Sequence, residues 1–273
     1  MTLIPRRGGT IMLSLVALGA ATGCARREDG DLARVGDTTA MADPDDLTMV
    51  RFVHAAPNAP DLTVSAGDRG SMFSQVSFKD VTPYREIEEN RPEFKAMPAD
   101  QPAAEPLAKN AELVLDGKYY TVVAVPSDDG SGVELETLRD DGDKGDATKA
   151  RVRFVHAAPR AGDIDVIVNN AEEPLFDDVA FGGDPNYREI NPGAAMIQVR
   201  AGKANTVLLR MTEMQFAAGE SVTIVLTHPS ASSDKIEAIR ITDQDRPAPM
   251  TDSLAPRRDS AAPMGSTNPP PRG

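Results

Sequence analysis

One string of eight residues occurs twice. Val50-Arg51-Phe52-Val53-His54-Ala55-Ala56-Pro57 returns unchanged as Val152-Arg153-Phe154-Val155-His156-Ala157-Ala158-Pro159. Chance does not produce such a match, so two copies of one domain stand in tandem, and whatever fold one copy adopts the other adopts too. The copies can be followed at a spacing of 102 or 103 residues. Val76-Ser77-Phe78 answers Val179-Ala180-Phe181, and Tyr84-Arg85-Glu86-Ile87 answers Tyr187-Arg188-Glu189-Ile190. Phe94-Lys95-Ala96-Met97 is expected to answer Met196-Ile197-Gln198-Val199. Gly117 answers Gly219, each just before an apolar run, and Val133-Glu134-Leu135 answers Ile236-Glu237-Ala238. Each unit has roughly 90 residues, the size of a small sandwich domain.

The local pattern is strand. Asp163-Ile164-Asp165-Val166-Ile167-Val168 puts Ile164, Val166 and Val168 on one face. Tyr119 to Val125, Thr206 to Leu209 and Ser221 to Thr227 are β-branched or apolar runs of strand length. Pro and Gly punctuate the chain between such runs, and neither unit holds a clean apolar period of 3.6. The expected fold is all-β: two tandem antiparallel β-sandwiches, with disordered termini. In the first copy Arg91-Pro92, Pro98, Pro102 and Pro106 stand where the second has a fluent strand from Met196 to Arg200. Proline cannot donate a ladder hydrogen bond, so a frayed edge or long loop is expected there.

The start of the chain reads as a targeting segment. Arg6 and Arg7 precede an apolar stretch from Ile11 to Ala21, too short to span a bilayer. Ala21-Thr22-Gly23 then sets small residues before Cys24, the only cysteine. This pattern resembles a bacterial lipobox, in which a peptidase cuts before the cysteine and the thiol carries a diacylglycerol. Acyl chains anchor durably because each buried CH2 contributes about 0.8 kcal/mol. Ala25 is unlike the aspartate that retains lipoproteins at the inner membrane, so outer-membrane or cell-surface placement is expected. The organisation that follows is a signal peptide over 1–23, a lipidated flexible tether over 24–46 and a first sandwich over 47–140. An acidic linker (141–150), a second sandwich (151–244) and a disordered Pro-rich tail (245–273) complete it.

Charge bears on partners. The net charge is -13, and -15 once Arg6 and Arg7 are removed, so phosphate backbones are repelled and nucleic-acid binding is disfavoured. Anionic lipid is repelled too, so membrane contact falls to the anchor. The chain has no Trp and four Tyr, which is poor material for the aromatic platforms on which sugars stack.

The paired openings resemble domain-of-unknown-function family 4397. That bacterial family begins with Arg, two apolar residues and His-Ala-Ser-Pro, followed by an alternating strand that holds an Asp, a central Tyr and a late Gly-x-x-Tyr-Thr-Val strand. Here the opening matches at Arg51, His54 and Pro57 and again at Arg153, His156 and Pro159, with Ala56 and Ala158 in place of Ser. Asp165 matches the strand Asp, which is Thr63 in the first copy, and Tyr84 and Tyr187 match the central Tyr. The first copy keeps Gly117-Lys118-Tyr119-Tyr120-Thr121-Val122, whereas the second has Gly219-Glu220-Ser221-Val222-Thr223-Ile224. The resemblance implies extracytoplasmic sandwich modules, immunoglobulin-like or transthyretin-like, and implies no established activity.

No catalytic set emerges from the residues. His54 and His156 each end a strand at a His-Ala-Ala-Pro corner, and one histidine per domain at equivalent places favours a structural role over a shared metal. His228, before Pro229, reads as a loop residue. Asp163 and Asp165 are not expected to work as a carboxylate pair. Asp141, Asp143 and Asp146 have the look of a calcium loop, but Gly145, Asp146 and Val152 occupy places where an EF-hand needs Asp or Asn, Gly and Glu. There is no Gly-x-Ser-x-Gly elbow, His-Glu-x-x-His or phosphate loop. The expectation is a non-enzymatic envelope module with no cofactor or metal, whose partner is an envelope protein or glycan. The alternative is an extracytoplasmic protein that binds calcium or a small ligand, and a hydrolase comes third.

Overall fold

The computed structural model describes residues 48–242 except 68–69, 88–91, 112–116, 141–144, 184–185, 203 and 205. The signal segment, Cys24, the tether, residues 141–144 of the acidic linker and the tail lie outside the described residues.

The first repeat contributes β1 (Thr48–His54), β2 (Leu62–Ala66), β3 (Ser71–Val76), β4 (Arg85–Ile87), β5 (Glu93–Pro98), β6 (Ala108–Ala111), β7 (Tyr119–Pro126) and β8 (Val133–Arg139). The second contributes β9 (Ala150–Ala157), β10 (Ile164–Val168), β11 (Phe176–Val179), β12 (Arg188–Ile190), β13 (Gly193–Ala201), β14 (Thr206–Phe216), β15 (Ser221–Thr227) and β16 (Glu237–Thr242). A 3-10 turn over Pro159–Ala161 is the only helical element among the described residues. The fold is all-β, as the residue pattern implies.

Four sheets form two sandwiches. In the first repeat β4-β1-β7-β8 packs on β3-β2-β5-β6, and in the second β12-β9-β15-β16 packs on β11-β10-β13-β14. Most pairs are antiparallel. One in each repeat is parallel, β1 with β7 and β9 with β15, so the first strand of a repeat lies beside a strand late in the same repeat. Val50, Phe52, Val122 and Ala124 meet Leu62, Val64, Phe94 and Ala96 in the first core. Val152, Phe154, Ile224 and Leu226 meet Ile164, Val166, Ile197 and Val199 in the second.

The repeats also share a third core. Val53, Ala55, Val123, Val125 and Leu138 of the first repeat pack with Val155, Ala157, Val225, Ile239 and Ile241 of the second. The sheets that hold the identical octapeptides are therefore covered on both faces, by their own sandwich partner and by the other repeat. That explains why β7 and β15 read as near-continuous apolar runs instead of alternating: six of the eight residues from Tyr119 to Pro126 are apolar, and none of the last seven is exposed.

One expectation is corrected and another is narrowed. Register places Val64 opposite Ala96 and Val166 opposite Val199, so Phe94 corresponds to Ile197 and not to Met196. A slip of one residue exchanges the faces of a strand, and the buried Phe94 must answer a buried residue. The proline-rich middle of the first copy takes the long-loop form of the expectation and not the frayed-edge one: residues 99–107 separate β5 from β6, where only 202–205 separate β13 from β14. β5 sits between β2 and β6; Pro92 directly precedes it, Pro98 ends it, and Pro102 and Pro106 fall in the loop beyond. The backbone repeats even where residues differ: Lys79 (φ 75°) and Gly182 (φ 65°) share one left-handed position, as do Gln75 and Asp178.

Candidate functional site at the interface between the repeats

The polar residues of the repeated motif converge beside the shared core. Arg51 and Arg153 point from β1 and β9 to the face opposite their own sandwich core, and each is almost fully buried. Each places its guanidinium 4.6 Å from the ring centroid of its own repeat's tyrosine, Tyr84 or Tyr187. Each donates from Nε to a neighbouring threonine, Arg51 to Thr121 Oγ1 and Arg153 to Thr223 Oγ1, both at 2.8 Å. Each then reaches across. Arg51 Nη1 donates to the Thr242 carbonyl at 3.2 Å, and Arg153 Nη1 donates to the Arg139 carbonyl at 2.8 Å. Arg139 and Thr242 are equivalent strand ends, opposite Tyr120 and Val222, so the cross-bonds are related by the internal symmetry.

Asp140 anchors this cluster. It directly follows β8, and its own N–H prolongs the ladder to the Tyr119 carbonyl at 2.8 Å. Its carboxylate has no solvent exposure and accepts from Tyr84 Oη and Thr121 Oγ1, each at 2.7 Å. It forms an ion pair with Arg153 and lies 3.7 Å from Arg51 Nη2. A buried carboxylate is tolerable only with such a full set of donors. Tyr187 differs, directing its hydroxyl to Thr223 Oγ1 at 3.2 Å. Thr121 and Thr223 stand in the late strand of the motif, but no role for them was read from it, and Asp140 lies outside it. The available signal was a threonine set within the apolar run of β7 and of β15, which only two-faced burial makes meaningful.

The two motif histidines close the strand ends. His54 Nε2 lies 2.9 Å from the Pro60 carbonyl, and Nδ1 accepts from Ala56 N–H at 3.3 Å. His156 repeats this with the Gly162 carbonyl at 2.8 Å and Ala158 N–H at 3.3 Å. A carbonyl cannot donate, so Nε2 carries the proton and each ring is a neutral acceptor at Nδ1. Burial holds both imidazoles below their ordinary pKa. Phe78 and Phe181 pack edge-on against them, at 6.1 and 6.0 Å. Pro57 and Pro159 follow in the turns, partly buried.

His228 lies in the loop between β15 and β16, as expected of it, but it is buried there. It follows β15 directly, is 1% exposed and uses both nitrogens, Nδ1 toward the Lys235 carbonyl at 2.8 Å and Nε2 toward Arg160 N–H at 3.3 Å. Burial lowers its pKa as well. Arg160 adds bonds to the Ala231 and Ser233 carbonyls and an ion pair with Asp234, so the turn after the second motif is tied to the β15–β16 loop.

Asp165 stands apart on β10, where Oδ1 accepts from Asp178 N–H at 2.9 Å in the bulged edge. Of the connector acids only Asp146 is described, and it caps its own turn through Thr148 N–H at 2.8 Å. No group of three His, Cys, Asp or Glu comes together as a metal site among the described residues.

The model of the family described as Domain of unknown function (DUF4397) matches residues 48–167 and again 157–255. This chain belongs to DUF4397. The two DUF4397 matches overlap over residues 157–167, from the end of the second motif onward, consistent with tandem copies, and both buried arginines fall within the first of them. No curated protein matches the chain. Among solved structures, the C-terminal domain of AlgF from P. aeruginosa is 19% identical, with 35% of this chain and 98% of that one covered and a TM-score of 0.28. A putative cell adhesion protein from Bacteroides uniformis ATCC 8492 is 10% identical over 73% of this chain and 98% of that one, TM-score 0.24. A streptococcal virulence factor that binds alpha-glucan is 10% identical over 69% and 95%, TM-score 0.21. Scores this low carry nothing over to this chain.

Proposed function

We propose that this chain is a lipid-anchored module of a bacterial cell envelope that works by binding or bracing rather than by catalysis. One observation carries the second half of that reading: the groups best suited to chemistry are consumed internally. All six ring nitrogens of His54, His156 and His228 face backbone partners, and Asp140 is enclosed by Tyr84, Thr121 and the arginines. A general base needs an accessible lone pair within reach of a substrate proton, and these have none to offer without breaking the fold. The anchor rests on the small residues before Cys24 and the charged tether after it. The partner is an envelope protein or glycan met by the outer sheets and end loops.

The anchor is tested in a bacterial host fed a labelled fatty acid. The full chain is expected to take up label and to sediment with membranes. Cys24→Ser should lose the label and leave the membrane fraction. Label retained in the Cys24→Ser variant would defeat the lipid reading. Turnover of any substrate by soluble 25–273, abolished by one point substitution, would defeat the non-enzymatic reading.

A further inference from the structure

The interface between the repeats is nearly symmetric, and its departures from symmetry fall at one place. Lys79 of the first repeat reaches Glu237 of the second, Nζ to Oε1 2.6 Å. The equivalent pair would join position 182 to position 134. Position 182 is a glycine, so Glu134 has no lysine opposite. Two residues along β8, Glu136 stands where the second repeat has the buried Ile239, a member of the shared apolar core. Its carboxylate lies so close to the second repeat that a Cβ on Gly182 would be 3.4 Å from Oε1. An acid thus occupies a place that the symmetry gives to an aliphatic side chain, beside a second acid, on the edge that lacks its cation.

We propose that Glu136 makes the contact between the two repeats acid-strengthened: protonated, it packs at the edge of the shared core as a neutral side chain, and on losing its proton it loosens the grip of β8 on the Phe181–Gly182 turn. Burial, and secondarily the charge on Glu134, pushes its carboxyl up to about 7. The groups around it are consistent with that direction. On β8 the neighbouring charge is Glu134. On β7 the residue opposite is Val123, and on β16 the equivalent position is Ile239. The turn contributes Gly182, whose N–H donates to the carbonyl of His156. His156 is itself held neutral by burial. Lys79 and Glu237 belong to the symmetry-related edge.

The sign follows from linkage. A carboxyl raised from 4.5 to about 7 stabilises the closed contact fully below the lower value, and that stability is lost as pH rises to the upper one. The opening constant should therefore increase on the order of tenfold between about pH 5.5 and about pH 8.5.

The test is amide hydrogen exchange on the soluble chain 25–273 across that window, read on β8 and residues 180–183, beside denaturant unfolding. The wild type should exchange faster at these amides as pH rises, after correction for the intrinsic rate. Glu136→Gln should be protected at every pH. Gly182→Lys should flatten the dependence by supplying the missing ammonium; Lys79 already holds the same backbone conformation with φ at 75°. Parallel profiles in the wild type and Glu136→Gln would overturn the proposal. If Glu136→Gln does not fold, a wild type with pH-independent protection at β8 would do so alone.

Discussion

The motif histidines show how a residue type that suggests chemistry can be used up by architecture. At His156, Nδ1 holds Ala158 N–H and Nε2 holds the Gly162 carbonyl, so the ring bridges both sides of the turn that follows β9. His156→Ala should leave both groups buried without partners and cost about 2–3 kcal/mol in denaturant unfolding. The acid response also follows. Burial lowers the folded pKa of His54, His156 and His228 below 6.5. Their stability is whole above the unfolded value and is lost as pH falls through the folded ones. Glu136 works in the opposite sense over part of that range, so the histidine limb is best read in Glu136→Gln. That variant should lose stability steadily on acidification below about pH 6. A flat acid limb there would mean that the rings are protonated in the folded state.

At the scale of elements, the arginines of β1 and β9 tie strand ends of one repeat to those of the other. Asp140 makes the tie tolerable for both charges. Asp140→Asn keeps the shape and removes the charge, leaving Arg153 buried beside a neutral amide. Loss of one member of a buried ion cluster costs about 3–5 kcal/mol, and a urea titration should show a midpoint reduced accordingly with little change in slope. An Arg153→Met, Asp140→Leu double variant should recover much of the loss, because an apolar pair removes both desolvation costs. Much of this element-level arrangement was legible in the sequence. The octapeptide gave the tandem repeat, and the run from Ser221 to Thr227 gave a strand with the bounds later found for β15. What did not come through was pairing between distant segments. The parallel partnership of β1 and β7 joins residues about seventy apart, and no local pattern encodes it. The one-residue misalignment of Phe94 arose because Met196 and Ile197 are equally apolar; only the register against β10 separates the outward one from the buried one.

The whole molecule is two sandwiches that share a third core, and this makes the repeats partners rather than beads on a string. Each has its own interior, centred on Phe52 in the first and Phe154 in the second. Each also contributes five buried apolar residues to the common layer, with the arginine–aspartate cluster beside it. Separation would expose that layer and strip Asp140 of Arg153, so opening at the interface should cost enough to couple the two unfolding events. The composition provides a probe. There is no Trp, and three of the four tyrosines, Tyr84, Tyr119 and Tyr120, lie in the first repeat. Tyrosine fluorescence therefore reports mainly the first sandwich, whereas far-ultraviolet circular dichroism reports both. In the wild type the two urea transitions should coincide, the mark of a single cooperative unit. Val225 is wholly buried in the shared layer and absent from the interior of the second sandwich. Val225→Asp puts an unpaired charge there and should uncouple the repeats, separating the two signals into distinct transitions. Coincident transitions in that variant, at an unchanged midpoint, would show that the shared core contributes nothing to cohesion.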